Sequence, residues 1–396
     1  MTSSAFRTVC IGSLGRIVTG KTPPSSRPEF FGEDYPFLTP TDIDGVARIA
    51  NTTRWLSTQG SRHQQRLMLP AGSICVVCIG ATIGKTCMTD RPSFSNQQIN
   101  SVIVNEEEHD PFFIYHTLST LRQELKQAAG GAATPIINKS AFSEIEVRIP
   151  PLPIQRRIAG ILSAYDDLIE NSQRRIKILE EMARRLYREW FVHFRFPGHE
   201  GCAFVDSPLG EIPEGWEAGR LDDLLVLQRG FDLPKADRAD GLIPIYAATG
   251  VTGFHNAAKV RAPGVVTGRS GSIGEVVYVQ EDFWPLNTTL WGKEFPKSEP
   301  LYAYYVLSSL DLEKFNSGAA VPTLNRNDIH GLDVLVPPRD LQRQFQGIAG
   351  ALLMQSRTHH LQIQNLRRTR DQLLPRLLSG QIDVEALPQP GLTGIS

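Results

Sequence analysis

The chain carries one pair of cysteines, Cys75 and Cys78, with the spacing of a zinc knuckle. The pair lies inside an apolar run, residues 73–79, and no second Cys-x-x-Cys pair or spaced pair of histidines follows it. A structural zinc site needs four ligands, whereas free cysteines often pack as small apolar side chains. We therefore predict a buried strand here, without a metal. The odd total of five cysteines fits free thiols in a reducing compartment.

The next stretch, residues 80–86 with the sequence Gly-Ala-Thr-Ile-Gly-Lys-Thr, is one residue short of a phosphate-binding P-loop. A similar stretch, residues 270–275, ends in Glu275, where phosphate binding would favour a lysine. We therefore predict that both stretches are tight glycine turns between strands.

Two kinds of DNA enzyme can be tested against the sequence. A DNA methyltransferase would need an (Asn/Asp/Ser)-Pro-Pro-(Tyr/Phe) tetrad and a Phe-x-Gly-x-Gly loop, and the chain has neither. A metal-dependent nuclease would need two carboxylates on neighbouring strands. Asp110 and the run Glu124-Leu125-Lys126 have about the right spacing, but residues 111–128 have a helical pattern. The sequence therefore favours a chain without a catalytic site, and a stand-alone DNA methyltransferase or nuclease is the alternative.

The elements that would position these residues occur twice along the chain. Residues 131–139, Gly-Ala-Ala-Thr-Pro-Ile-Ile-Asn-Lys, match residues 318–326, Gly-Ala-Ala-Val-Pro-Thr-Leu-Asn-Arg. The match continues without a gap through the Pro-Pro pairs at 150–151 and 337–338 to Gln155 and Gln342. Upstream, residues 80–84 align more weakly with residues 270–274. Because a long gapless match does not arise from turn residues alone, we infer an internal repeat.

Each half of the repeat predicts a globular domain, a Pro-Pro boundary and a long helix. The globular parts contain short apolar runs bounded by Gly, Pro and Asn, which indicate strands, and one helical pattern each, around 111–128 and 300–315. The predicted divisions are residues 1–150, 151–196, 197–338 and 339–387, followed by a tail, 388–396.

The two helical segments have apolar residues every three or four positions, from Ile154 to Trp190 and from Phe345 to Leu377. Each run exceeds thirty residues and would be about 50 Å long. A stripe of that length usually packs against another long helix. We therefore predict an α+β fold in which two β-rich domains are each followed by a long helix. The two helices would pair as an antiparallel coiled coil, related by a pseudo-two-fold internal repeat.

Three features resemble the specificity subunit of Type I restriction–modification systems. One is the order domain, helix, domain, helix. Another is the phrase Pro-Pro-Leu-Pro-Ile-Gln-Arg-Arg-Ile-Ala at residues 150–159, and the last is Asp-Ser-Pro-Leu-Gly-Glu-Ile-Pro-Glu-Gly-Trp at residues 206–216. The chain departs from the family at Ile154 and Leu341, where other members often have Glu before the glutamine.

The resemblance implies that the two globular parts are target recognition domains, each reading one half of a bipartite double-stranded DNA sequence. It implies that the helices set the spacer and dock two modification subunits, which bind S-adenosylmethionine and methylate adenine. Restriction subunits would join the full complex. No cofactor is expected for this chain itself. A coiled-coil scaffold that binds only protein is a further alternative, but it would have no need of two divergent globular domains.

Bases are distinguished by amide and guanidinium side chains, and phosphates are bound by Lys, Arg and backbone N–H groups. Loops rich in such groups occur in both halves. The predicted DNA-binding residues are Lys21, Thr22, Lys85, Asn96, Gln97, Gln98, Arg229, Arg269, Ser270, Asn287 and Thr288.

The charge distribution constrains how DNA is bound. The formal net charge is −1, and residues 205–338 carry 11 Lys+Arg against 18 Asp+Glu. The chain is therefore unlike a protein that coats DNA through general phosphate attraction, and local patches or a basic partner must supply that attraction. No apolar run is long enough to cross a membrane, and the N-terminal residues have no signal-peptide pattern. The expected location is the cytoplasm.

Overall fold

The computed structural model describes residues 6–43, 47–129, 135–318 and 320–387 and divides the chain into two compact units. Unit 1 contains the chain up to Gln173 together with the segment from Leu361 onward. Unit 2 is the continuous segment Arg174–His360. The predicted tail, residues 388–396, and part of the repeated stretch, residues 131–134 and Ala319, lie outside the described residues.

Unit 1 has a mixed α and β architecture. Its strands are β1 (Arg7–Cys10), β2 (Gly15–Thr19), β3 (Phe31–Leu38), β4 (Arg48–Ile49), β5 (Arg54–Leu56), β6 (Ile74–Val77), β7 (Thr86–Thr89), β8 (Phe94–Ser95), β9 (Ile99–Val104) and β10 (Glu146–Ile149). Its short helices are α1 (Thr58–His63), α2 (Pro111–Thr120), α3 (Arg122–Ala128) and α4 (Lys139–Glu144). The strands form sheets in the orders β2-β9-β6-β7-β4 and β5-β3-β8, and β1 pairs with β10.

Strand β6 shows why these residues form a central strand. It pairs antiparallel with β7 on one side and with β9 on the other, so both of its faces and both of its edges are covered. All four of its residues are buried, as a continuous apolar run predicts. Cys75 is fully buried within it, and Cys78 follows it with 1% exposure. Both are free thiols, which confirms the prediction of a buried strand with apolar cysteines.

Unit 2 begins inside the first long helix, and its globular part opens with a hairpin and then repeats the order of unit 1. The hairpin is β11 (Phe204–Ser207) and β12 (Gly210–Pro213). The other strands are β13 (Glu217–Arg220), β14 (Val226–Arg229), β15 (Ile243–Ala247), β16 (Gly250–His255), β17 (Gly264–Gly268), β18 (Val276–Val279), β19 (Trp284–Pro285), β20 (Thr289–Glu294) and β21 (Asp333–Val336). They form sheets in the orders β14-β20-β17-β18 and β16-β15-β19, and β13 pairs with β21. These orders match those of unit 1, apart from the extra edge strand β4.

The two helical patterns inside the globular parts are shorter than predicted. The pattern at 111–128 forms two helices, α2 and α3, and the pattern at 300–315 forms α7 (Pro300–Ser309) followed by a 3₁₀ turn. Leu121 separates α2 from α3 with φ −80° and ψ 14°. The hydroxyls of Ser119 and Thr120 donate to backbone carbonyls of the preceding turn and compete with helix continuation. Unit 2 also contains α6 (Leu221–Leu224) and α8 (Arg326–His330).

Two long helices follow the globular parts. Helix α5 runs from Leu152 to Tyr187 and continues into a π-helical turn, and helix α9 runs from Arg339 to Leu378. Helix α9 ends before Gly380, whose φ of +76° suits glycine after a helix. Residues 381–387 follow it without helix. Within the part of the chain that the structure describes, none of the helices has the length and apolar character needed to cross a bilayer.

Candidate nucleic-acid interface

In unit 1, the turn between β8 and β9 lies against the end of β2. The Gly20 N–H donates to the Ile99 carbonyl at 3.1 Å, and the Lys21 N–H donates to the Ser95 carbonyl at 2.9 Å. A Cβ on Gly20 would lie 2.2 Å from the Asn96 carbonyl oxygen, so only glycine permits this approach. The close contact brings Lys21 and Thr22 beside the Asn96–Gln98 turn.

The amide side chains of this turn are partly bonded to one another. The Asn96 side chain is buried, its Nδ2 donates to Oε1 of Gln98 at 3.0 Å, and its Oδ1 accepts the Gln98 N–H at 3.1 Å. Thr22 Oγ1 donates to Oε1 of Gln97 at 2.8 Å. Asn96 therefore shapes the turn, whereas Gln97 is exposed and keeps its amide donors at the surface.

A second turn, residues 78–85, joins β6 to β7 beside the first. Its Cys78 N–H donates to the Gln98 carbonyl at 2.8 Å. Gly80 and Gly84 have φ values of +92° and +84°, which confirms the prediction of a glycine turn between strands. Lys85 closes the turn and is half-buried.

The same arrangement of a glycine contact and two neighbouring turns recurs in unit 2, and we call this arrangement the backbone frame. Gly230 donates to the Thr289 carbonyl at 3.1 Å, and a Cβ there would lie 2.2 Å from the Leu286 carbonyl oxygen. The N–H groups of Arg269 and Ser270 donate to the Thr288 carbonyl at 2.8 and 3.1 Å. The corresponding glycine turn starts at Gly271.

The turn alignment predicted from the sequence is wrong by one residue. Gly80 and Gly271 each donate to a proline carbonyl, Pro135 at 3.0 Å and Pro322 at 2.9 Å, and both have positive φ. Gly80 therefore corresponds to Gly271 and not to Ser270. Because Gly84 corresponds to Gly274 on the other side, the turn in unit 2 is one residue shorter.

The side chains on the frame of unit 2 differ from those of unit 1. Arg229 is 54% exposed with its Nη2 3.8 Å from Oδ1 of Asp232. Arg269 Nη1 donates weakly to the Asn287 carbonyl at 3.4 Å, and the Asn287 side chain donates to Asp232. Thr288 Oγ1 accepts the Ala248 N–H at 3.3 Å. The structure therefore brings Arg229, Arg269, Ser270, Asn287 and Thr288 together in unit 2.

An open cavity of about 1000 Å³ lies beside these side chains and includes residues that the sequence analysis missed. Lys293, Asn325 and Arg326 line it together with Arg229 and Arg269. The repeat held a signal for two of them. Asn325-Arg326 occupies the place of Asn138-Lys139, and in each pair the Asn side chain caps the following short helix, at 3.1 and 2.8 Å.

The residues weighed for catalysis have structural roles. Asp110 Oδ1 accepts the Phe113 N–H at 3.0 Å and caps α2. Glu124 lies on helix α3 and not on a strand beside Asp110, so the geometry of a two-carboxylate nuclease site is not formed by this pair.

One buried glutamine in each unit joins the globular part to the helix that follows it. Gln155 is 1% exposed, its Nε2 donates to the Pro150 carbonyl at 2.8 Å, and its Oε1 accepts the Asp110 N–H at 3.0 Å. Gln342 is fully buried and makes the matching bonds to the Pro337 carbonyl and the Glu299 N–H, both at 2.8 Å.

The residues at the two family departures, next to these glutamines, pack in or against the cores of their units. Ile154 packs against the core of unit 1, and Leu341 is 9% exposed in the core of unit 2. Both residues therefore stabilise their own unit.

A match to a family model identifies the kind of protein that has this backbone frame. The model of the Type I restriction modification DNA specificity domain matches residues 4–181 and 213–350, which is most of the chain in two copies. The chain belongs to this family.

Relatives and a solved structure agree with the match. The chain is 27% identical to the Type I restriction enzyme MjaIX specificity subunit of Methanocaldococcus jannaschii over 95% of this chain and 93% of the relative. It is 40% identical to the HindI specificity subunit of Haemophilus influenzae over 41% of this chain and 37% of the relative. The fold matches the S subunit structure from M. genitalium with a TM-score of 0.65 at 18% identity, covering 94% of this chain and 96% of that chain.

These matches confirm the predicted family, a mixed α and β fold with two specificity domains in repeat, and the role of a DNA-recognition subunit that is not catalytic. Membership of the family also implies that this specificity subunit binds DNA and works in a complex with modification and restriction subunits.

Proposed function

We propose that each unit of this specificity subunit reads one half of a bipartite double-stranded DNA sequence. The observation that carries the proposal is the shared backbone frame. In both units a glycine clamps one strand end against a turn, and a neighbouring turn donates an N–H to it. The side chains on the frame include two lysines and three amides in unit 1 and two arginines in unit 2. A constant frame with different polar side chains suits two domains that read different sequences.

The proposed DNA-binding residues are those on this frame. In unit 1 they are Lys21, Thr22, Lys85, Gln97 and Gln98, with Asn96 holding the turn. In unit 2 they are Arg229, Arg269, Ser270, Asn287 and Thr288. The polar side chains that line the cavity of unit 2 support a groove-facing surface.

We assign residues 1–150 and 197–338 to two target recognition domains, residues 151–196 and 339–387 to the helical regions, and residues 388–396 to a tail. The Pro-Pro pairs support the boundaries before the helices, because α5 begins at Leu152 and α9 at Arg339. A proline pair ends the preceding strand and opens a helix at its first turn.

We propose that α5 and α9 pair as an antiparallel coiled coil related by a pseudo-two-fold axis. In unit 1, Asp166 accepts a bond from Nη1 of Arg370 at 2.5 Å, and Ile158, earlier on α5, packs in the same core as Leu377, later on α9. In unit 2, Ser356 Oγ donates to Oε1 of Glu180 at 2.9 Å, and the rings of Tyr187 and Phe345 lie 6.3 Å apart. In each unit, residues that lie later on α5 contact residues that lie earlier on α9, which supports antiparallel pairing.

The helices would dock two modification subunits, one on each unit. Four residues at or near the exposed face of α5 recur at the same positions of α9. They are Arg156, Gly160, Ile161 and Ala164 on α5, and Arg343, Gly347, Ile348 and Ala351 on α9. Since exposed residues such as Arg156, Gly160 and Ala164 are free to drift, their identity with Arg343, Gly347 and Ala351 supports two copies of one partner.

A charge-and-size change on this face tests the docking. A Cβ on Gly160 or Gly347 would meet nothing within 4 Å, so an arginine there should leave the fold intact. We expect Gly160→Arg or Gly347→Arg alone to retain one modification subunit, and the double variant to retain none, by native mass spectrometry of the assembled complex. Two copies bound to the double variant would contradict this face.

Methyl transfer and cleavage would then belong to the modification and restriction subunits, in the cytoplasm. Mapping adenine methylation in a genome with and without this chain, in the presence of its modification partner, tests the whole proposal. We expect a two-part motif with a fixed spacer to disappear when the chain is removed. An unchanged methylation pattern, or methyl transfer by the isolated chain, would contradict it.

A further inference from the structure

The shared frame allows the two units to be compared position by position. Gly20 and Gly230 occupy the same place, so Thr19 corresponds to Arg229. Cys78 donates its N–H to the β8–β9 turn, and Arg269 donates its N–H to the β19–β20 turn, each at 2.8 Å. Their carbonyls each accept an N–H, from Ile137 and Leu324 respectively, at 2.8 Å. Arg269 therefore corresponds to Cys78.

The corresponding side chains point to different uses. In unit 1, Cys78 is buried with 1% exposure, and the half-buried Thr19 donates from Oγ1 to Oδ1 of Asn100 at 2.7 Å. In unit 2, Arg229 and Arg269 line the open cavity. One buried and one half-buried position of unit 1 thus correspond to guanidiniums that line a cavity in unit 2.

The surroundings of Arg269 argue against a structural ion pair. Among the residues that the structure describes, no carboxylate lies within salt-bridge distance of its guanidinium, which donates one weak hydrogen bond, to the Asn287 carbonyl at 3.4 Å. Its backbone is held on both sides by the bonds to Thr288 and Leu324. The side chain therefore projects from a rigid base with its donors available, which lowers the entropic cost of placing it on a base.

Two arginines that line one open cavity have a preferred target. A guanidinium makes two parallel hydrogen bonds to O6 and N7 of guanine in the major groove, a pairing that other bases do not offer. Because residues 205–338 carry 11 Lys+Arg against 18 Asp+Glu, phosphate attraction is left to local basic patches, and the experiment below separates base reading from phosphate binding. We propose that Arg229 and Arg269 each read a guanine in the half-site recognised by unit 2. This inference rests on the proposed division of the target between the units.

The test uses the complete complex with its modification subunits and a DNA library randomised at every position of the target. We expect the wild-type motif to require two G·C pairs in one half. Arg269→Ala and Arg269→Lys should each relax one of these pairs, with a loss of discrimination of about 5- to 150-fold. Arg229→Ala should relax the other pair in the same half. Lysine serves as the matched variant, because it keeps the charge but loses the paired hydrogen bonds.

The other half of the motif is the internal control and should not change in any variant. Loss of methylation that is equal on all sequences, and that Arg269→Lys restores, would assign Arg269 to phosphate and overturn the inference. Relaxation at an A·T pair, or in both halves, would overturn it too. A wild-type complex that methylates no two-part motif would instead overturn the proposed function, and the inference with it.

Discussion

At the residue scale, the buried glutamines Gln155 and Gln342 are the strongest candidates for a measurable effect on stability. Gln342 satisfies the Pro337 carbonyl and the Glu299 N–H. Gln342→Ala would leave both groups buried without partners, and each unsatisfied group costs about 1–3 kcal/mol. We expect the free energy of unfolding from urea titration to fall by about 2–6 kcal/mol.

Gln344 supplies the control for this substitution, because it lies on the same helix and is exposed. Gln344→Ala should change the free energy of unfolding by less than about 0.5 kcal/mol. Equal effects of the two substitutions would show that helix propensity, and not the buried bonds, sets the cost.

A second residue-scale prediction concerns pH. Burial and the nearby Arg370 lower the pKa of His116 to about 3, and its Nε2 lies 3.4 Å from Oδ2 of Asp166. The folded state therefore keeps this histidine neutral, while the unfolded chain binds a proton below about pH 6.5. Stability should fall as the pH decreases from about 6.5, by up to about 1.4 kcal/mol per pH unit for this group.

The check is urea unfolding of wild type and His116→Gln at pH 7, 6 and 5. The variant should lose part of the pH dependence, while His109 and His330, whose pKa values burial also lowers, keep the rest. Burial raises the pKa of Asp166, so that carboxyl opposes the loss as the pH falls further. Identical slopes for the two proteins would contradict the role of His116.

Sequence patterns located the polar turns because a Gly-rich turn beside amide or arginine residues is local information. The sequence analysis missed Lys293 and Arg326, since strand pairing and a short helix bring them to the cavity from distant positions in the chain. Arg269 and Cys78 could not be equated from the sequence, because the turns differ in length by one residue. The equivalence became visible only in the hydrogen bonds.

At the scale of elements, Asp166 and Arg370 connect helices α5 and α9 inside unit 1. The Asp166 side chain is 9% exposed and lies 2.5 Å from Arg370. The repeat places Leu353 and Ala183 at the corresponding positions, so apolar residues replace this ion pair in the other half of the repeat. Arg370→Met should cost about 3–5 kcal/mol, because it leaves a buried carboxylate without its partner.

The double variant Asp166→Leu with Arg370→Met should recover most of that loss, since a buried pair replaced by apolar residues is often neutral or better. The measurement is a double-mutant cycle on the free energy of unfolding. Additive losses in the double variant would mean that the two side chains stabilise the helices independently.

Apolar periodicity in the sequence predicted the types of the elements, but it did not predict the residues at which they end. The long helices have an uninterrupted apolar stripe, which is why their existence was predictable. At the end of helix α2, the hydroxyls of Ser119 and Thr120 bond to the preceding turn, a competition for backbone carbonyls that apolar spacing does not reveal. The pairing of the helices within each unit is likewise set by specific contacts such as Glu180 with Ser356.

At the scale of the whole molecule, the proposed spacer function predicts the effect of longer helices. Seven residues inserted after Gln173 in α5 and seven after His360 in α9 preserve the apolar stripe. They add about 10 Å, which corresponds to about three base pairs. We expect a methylation motif with unchanged half-sites and a longer spacer, measured on a library of spacer lengths.

An insertion in α5 alone is the control, because it shifts the partners on α9 out of register and should abolish methylation. A motif with altered half-sites and an unchanged spacer would refute the role of the helices in setting distance.

The division of the chain between the units also has a consequence for folding during synthesis. Unit 2 is continuous and has all its residues once His360 has been made. Unit 1 begins first but also needs Leu377 and Val384, which are 1% and 3% exposed in its core. Contacts this far apart in the chain form slowly. The domain made first is therefore completed last, and through most of translation its unfilled apolar core is open to aggregation and to chaperones.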